Sequence, residues 1–260
     1  MIIIKKFSLK LIIPVILVMI VALTSQATAC VGGRPLGMGG AYIGVADDLN
    51  TLYWNPAGLI HSPSGLTYSP TLTERDEMGY RHFAGGVYNT SQWSAGLSYI
   101  QRERPWDQIR EDWTVFSGAM ELPMMEGSSV GVNLRYKSDG EGEDDFQQDL
   151  ALHYQWDRDT RVGLMYQSLS NMRMGLSHYF ADDMLLALDV YDLFDNQRFM
   201  FGIEYNIDEQ ITARMGSYNQ DLTLGVGYRG EEVLENVELD AVVMFRDSNI
   251  FKLSLSYILD

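Results

Sequence analysis

The sequence predicts an exported all-β protein, a transmembrane antiparallel β-barrel of about fourteen strands with an N-terminal plug segment. Three observations predict it. The chain opens with an export signal, and from residue 65 to its end it alternates apolar and polar residues in strand-length runs. Between the two lies a Gly- and Pro-containing stretch that follows no strand period.

Residues 1–29 carry Lys5, Lys6 and Lys10, then an apolar run over 11–23, then Ala27-Thr28-Ala29. This is the charged, apolar and small-residue order of a cleaved secretory signal peptide. The apolar run holds Pro14 and is too short to cross a bilayer comfortably as an anchor. Cys30, the one cysteine, has three possible fates: a lipidated N-terminus, a free thiol, or loss if cleavage falls later. No disulfide can form within the chain.

Removal of 1–29 takes away three lysines and moves the net charge from −16 to −19. That sign excludes nucleic acid as an expected partner and suits exposed loops and cation-bridged surfaces. No second apolar run reaches helical spanning length, so membrane residence has to come from strands.

Residues 30–64 form the expected plug or hatch. Gly37, Gly39, Gly40 and Gly58 permit tight turns and close approach, and Asn55-Pro56 demands non-helical backbone before the proline. Asp47-Asp48 is placed to cap a short helix over 47–54 or to pair with lumen arginines such as Arg135, Arg161 and Arg214. The alternative is a loose leader ahead of the first strand.

Residues 65–260 form the expected barrel, with strands at 65–71, 80–89, 92–102, 111–122, 128–137, 146–157, 160–168, 171–180, 183–192, 198–207, 209–218, 220–229, 236–246 and 249–259. Leu150, Leu152 and Tyr154 share one face while Asp149, Ala151 and His153 share the other, and the same split runs through Phe199 to Asn206 and Phe251 to Leu259. A secreted sandwich also alternates, so periodicity alone leaves the solvent of the apolar face open. Tyr99, Tyr136, Tyr154, Trp156, Tyr166, Tyr205, Tyr228 and Tyr257 lie near strand ends on that face, as an interfacial girdle requires. The three longest early connections fall on the side away from the termini, the barrel's usual asymmetry, and 230–235 is the exception.

The opposite face is expected to line the lumen with Arg135, His153, Arg161, Asp189, Glu204, Arg214, Glu238 and Asp240, joined by Asp149, Arg246 and Lys252. Met165, Leu185, Met200, Val242 and Met244 give that face some apolar surface, either for cargo or against the plug. The loop 139–145 holds five carboxylates, which reads as a solvated acidic loop ahead of a calcium site. Four histidines, His61, His82, His153 and His178, show no spacing to a serine that singles one out, so no catalytic residue, metal or cofactor is expected.

The stretch Gly37 to Ala41, Ala46-Asp47-Asp48 and Asn55 to Leu59 resembles the N-terminal region of the FadL superfamily of outer-membrane barrels, which includes PorV-like proteins. The resemblance covers about a tenth of the chain. It implies an outer-membrane location in a diderm bacterium, contact with outer-membrane lipid, and passive passage of hydrophobic or amphipathic small molecules past the plug. It equally suits a PorV-like barrel that docks exported proteins. The outer loops are too short for the large lipid-capture surface of the fatty acid transporters. A wall opening beside the plug would need a bulge at glycine or proline; the strands offer Gly85-Gly86 and no interior proline.

Overall fold

The computed structural model describes residues 31–73, 79–90, 92–103, 109–139, 144–168, 171–230 and 236–259. The expected signal peptide, Cys30, Glu141 and Glu143 of the acidic loop, and 231–235 lie outside these residues. Fourteen strands form one closed barrel: β1 Gly65–Pro70, β2 Tyr80–Asn89, β3 Trp93–Glu103, β4 Arg110–Glu121, β5 Ser128–Ser138, β6 Asp145–Gln155, β7 Thr160–Ser168, β8 Asn171–Ala181, β9 Met184–Tyr191, β10 Arg198–Asn206, β11 Ile211–Tyr218, β12 Asp221–Arg229, β13 Val237–Met244 and β14 Ile250–Ile258. Each strand pairs antiparallel with its sequence neighbours, and β14 closes on β1. Closure rules out the sandwich, whose sheets keep open edges. With an even strand number, β1 starts and β14 ends at the same mouth, called here the terminal mouth.

The alternation in the chain becomes the two faces of this wall. In β6, Asp149 and His153 are buried while Leu150 is exposed, and a one-residue slip would reverse the set. Outside, Leu97, Phe116, Leu150, Leu176, Leu224 and Leu253 make an apolar band. Trp93, Trp156, Tyr205 and Tyr257 rim it near the terminal mouth, and Tyr68, Tyr99, Tyr136 and Tyr166 near the far mouth. These are the positions amphipathic rings take at the two membrane interfaces. No helix among the described residues is long and apolar enough to cross a membrane.

Turn chemistry fixes the hairpins. Asn219 and Gln220, at φ 50° and 79°, join β11 to β12 by left-handed backbone that matches strand twist. Asp157 closes the β6–β7 turn by accepting from the amides of Asp159 (2.8 Å) and Thr160 (2.7 Å). Two expectations about the wall are corrected. The ladder runs unbroken through Gly85-Gly86, which pairs with Ser98 and Leu97 on one side and Thr67 and Leu66 on the other. The wall also does hold a proline, Pro70, in β1.

The core lies in the lumen. Residues 31–62 enter it as helix α1 (Gly33–Gly37), helix α2 (Thr51–Trp54) and a 3₁₀ segment, Pro56–His61. Leu36, Met38, Ile43, Leu49, Leu52, Trp54 and Leu59 of this insert are buried together with Phe83, Val115, Met165, Leu185, Met200 and Met244 of the wall. The apolar inward residues therefore pack in one cluster with the insert.

Candidate functional site: a filled lumen

The insert lies against the wall at positions where the wall has no side chain. Gly163 and Gly175 face one another across β7 and β8, and a Cβ on either would collide with the Ile43 carbonyl or the Gly44 amide. Gly202 and Gly216 do the same across β10 and β11 against Met38 and Gly39, and Gly131 of β5 does so against Ala57. Within the insert, Gly39 and Gly40 turn the chain out of α1 at φ 61° and 76°. Gly37 lies on the Arg214 side chain, and Gly58 passes under the Ala46 carbonyl.

Polar side chains then pin the insert's backbone. Asp189 accepts from the amides of Tyr42 and Ile43, both at 2.7 Å. Ser177 donates to the Gly44 carbonyl at 3.0 Å, and the His153 ring meets the same oxygen at 3.3 Å. Asn55 donates to the Ile43 carbonyl (2.8 Å) while its own oxygen caps the 3₁₀ segment by accepting from the Ala57 amide (3.1 Å). Pro56 follows as the first residue of that segment, where a missing N–H costs nothing. Ser129 and Asn133 of β5 donate to the carbonyls of Ala57 and Leu52. Such pairing is obligatory for backbone groups shut away from water.

Toward the terminal mouth the anchors become ionic. Arg34 of α1 makes a two-pronged bond to Glu204 (2.7 and 2.8 Å) and also reaches Asp47 (2.6 Å) and Asp48 (3.3 Å). Arg161 pairs with Asp47 at 2.7 Å, and Arg214 bridges Glu204 and Asp240, both at 2.6 Å. Asp47 therefore takes the pairing role expected of it. The helix expected over 47–54 is instead only α2, preceded by Asn50, because Asp48 turns its side chain back to the Asn50 amide (2.7 Å). Burial would raise the Asp47 carboxyl, but Arg34 and Arg161 overcome that and hold it below its ordinary value. Asp48 is pushed up by burial, which Arg34 offsets only in part. A cavity of about 510 Å³ adjoins this network, lined by Arg34, Asp47, Asp48, Glu204 and Asp240 and, at the mouth, by Asp182, Asp208 and Glu209. Glu238 lies on its rim with Arg229, at 2.9 Å.

The far half of the lumen is built from arginines laid on tyrosines. Arg135 pairs with Asp149 and stands 5.1 Å from the Tyr53 ring centre; Arg173 and Arg198 stand 4.8 and 5.8 Å from that of Tyr191. Arg246, expected to face inward from a strand, sits in the connection after β13 and pairs with Asp221 at 2.7 Å. In the acidic loop, Asp144 accepts from the Tyr136 hydroxyl and Asp145 from Gln147. No group of three or more metal-ligating side chains occurs among the described residues.

Three contributors escaped sequence reasoning. Arg34 lies three residues before Gly37, and its signal was a lone cation ahead of Asp47-Asp48. The wall glycines sit at inward positions of β5, β7, β8, β10 and β11, a regularity visible once the faces are assigned. Tyr53 and Tyr191 carried no signal separating them from girdle tyrosines.

No protein-family model matches the chain, and no curated protein sequence matches it. Its fold is nonetheless shared with solved structures. The "CymD monoaromatic hydrocarbon channel" is 14% identical with a TM-score of 0.66, over 90% of this chain and 99% of that one. A FadL homologue of Pseudomonas aeruginosa is 10% identical with a TM-score of 0.58, over 86% and 98%. The Acinetobacter baumannii outer membrane protein Omp33 is 10% identical with a TM-score of 0.53, over 76% and 98%. The chain therefore has the barrel fold that these solved structures have.

Proposed function

We propose that the chain is a passive outer-membrane channel for hydrophobic or amphipathic small molecules, exported by residues 1–29 and gated by residues 31–64. One observation carries the reading: the lumen is filled by an insert whose ion-paired first half borders a cavity at the terminal mouth. A filled barrel passes nothing large, so cargo must displace part of the insert, and the part beside free volume and water is the one able to move. The resemblance to the monoaromatic hydrocarbon channels points to small apolar cargo. Passage needs no covalent step, and no residue is assigned one.

The test is uptake of labelled toluene and of a labelled long-chain fatty acid by liposomes carrying the purified protein. Toluene uptake well above that of empty liposomes supports the reading; equal uptake of both probes in empty and loaded liposomes overturns it. A docking role for exported proteins is the second reading. It is favoured by the terminal-side turns, which present Asp157, Asp159, Asp182, Asp183, Asp208 and Glu209 to a basic partner. Absence of uptake together with a co-purifying exported protein selects it.

A further inference from the structure

The three arginines that lie on Tyr53 and Tyr191 in the far half of the lumen share two carboxylates. Asp149 pairs with Arg135 and Asp192 pairs with Arg198, the second at 2.6 Å. Arg173 is just as buried, at 6% exposure, yet among the described residues it makes no ion pair. The register of β8 explains this. Met165 of β7 stands opposite Arg173, and continuation of the β8–β9 register sets Tyr191 opposite it on the other side, so neither neighbouring strand offers an acid there. Its hydrogen bonds go to neutral amides instead, from Nε to Asn171 Oδ1 (3.2 Å) and from Nη2 to Gln167 Oε1 (3.1 Å). Gln167 donates in turn to Asp149 Oδ1 (2.9 Å), while the other Asp149 oxygen accepts from Asn133 and Arg135. Asp149 is committed elsewhere.

Three cations on two anions leave one positive charge of this group uncompensated. Burial of such a charge is strongly unfavourable, and protein interiors pair it. Arg173 Nη1 has no acceptor among the described residues, although a guanidinium presents its N–H groups in a rigid fork suited to an anion. The uncommitted edge and the missing negative charge thus fall on one side chain. Tyr191 links that side chain to the insert. Its ring lies between Arg173 (4.8 Å) and Arg198 (5.8 Å), and its hydroxyl donates to the Gly40 carbonyl at 2.7 Å, where the chain turns out of α1.

We infer that Arg173 is an anion site: its Nη1 holds one small negative group in the far half of the lumen, and that group steadies the contact of Tyr191 with the insert. A guanidinium neutralised in this way stays flat on the Tyr191 ring, whereas a bare one is drawn toward water and withdraws its support from the ring. The ligand chemistry is a single charge, supplied either by free chloride or by the carboxylate of a small molecule entering at the far mouth. The site stands whether or not the barrel transports.

The test is the rate at which the purified protein loses its compact gel band on heating, in potassium chloride, potassium benzoate or potassium gluconate of equal concentration, gluconate being too bulky for the site. At about 100 mM, an anion bound with about 10 mM affinity should slow the loss about tenfold relative to gluconate, the factor by which a ligand favours the folded state. Slowing by chloride supports the site with a free ion as its source; slowing by benzoate alone supports it with a carboxylate-bearing molecule as its source. Arg173→Met should lose the difference between salts and, because it removes an uncompensated charge, should be no faster than the unmodified protein in gluconate. Asn171→Asp places a carboxylate on Arg173 Nε and should be slow in all three salts, which keeps the test open if Arg173→Met does not fold. Equal rates for the unmodified protein in all three salts overturn the site. A salt difference that survives in Arg173→Met also overturns it, since the anion then sits elsewhere.

Discussion

The two halves of the insert are held by different physics. From Gly33 to Asp48 the chain adds to the buried Leu36, Met38 and Ile43 and the bonds at Tyr42, Ile43 and Gly44 an ionic network, Arg34, Asp47 and Asp48 against Glu204, Arg161 and Arg214, beside a cavity open to the terminal mouth. From Asn50 to Ser62 it is fixed by Leu52, Trp54 and Leu59 in the apolar cluster and by neutral hydrogen bonds from Ser129, Asn133 and Asn55. Ion pairs respond to protons and salt, whereas packed apolar and amide contacts do not. A segment built to stay would use the second kind throughout. The ionic half is the half suited to movement.

Arg34→Ala should break this contrast most strongly. It leaves Glu204 and Asp47 short of a partner in a largely buried site, a loss of about 3–5 kcal/mol by the general cost of stranding a buried charge. Exchange at the Ala46 amide, which bonds the Tyr42 carbonyl, should rise by orders of magnitude, and single-channel conductance should rise with it. The Gly58 amide should stay protected. Loss of protection in both halves would mean that the insert moves as one body.

Gly131→Val is the converse. A side chain there meets the Ala57 backbone, and overpacking of this sort costs about 1–3 kcal/mol. Exchange at Gly58 should rise while Ala46 is unaffected. Asn55→Ala should have a smaller effect, about 1–2 kcal/mol, felt mainly in the same half, because it uncaps the 3₁₀ segment there and strands the Ile43 carbonyl of the first half. Thermal loss of the compact band on unheated gels measures both.

The wall was legible in the sequence because its two faces meet different solvents, and that difference writes a period of two into every strand. Asp149, Arg135, Asp189 and Glu204 could be placed inward on this ground alone. The insert was legible as a compact element through Asn55-Pro56 and its glycines, yet its helices were not, since α1 and α2 are four or five residues long and shaped by their container. Which arginine meets which acid depends on strand order and insert path together. Arg34, the residue joining most of them, looked like any cation before a glycine turn. Gly85-Gly86 was read as a place for an opening and Gly131, Gly163, Gly175, Gly202 and Gly216 were given no role, when their missing side chains are what admits the insert.

Acid should give the smallest effect and the sharpest sign. Asp48, raised by burial, takes up a proton first, and since the folded state already favours its neutral form this costs the insert nothing. Asp47 is depressed, so its contribution to docking is complete above the ordinary aspartate value of about 4 and is lost as pH falls through its lower folded value. Conductance should therefore be level, or fall slightly, as pH drops from 7 toward 4, and rise below 4. Arg34→Ala should flatten the rise, because the interaction that depresses Asp47 is already weakened. Asn55→Ala should keep it, since that half carries no titrating anchor. A rise centred near pH 6 would place the sensitive group elsewhere, on a histidine such as His61, and would remove Asp47 from the gate.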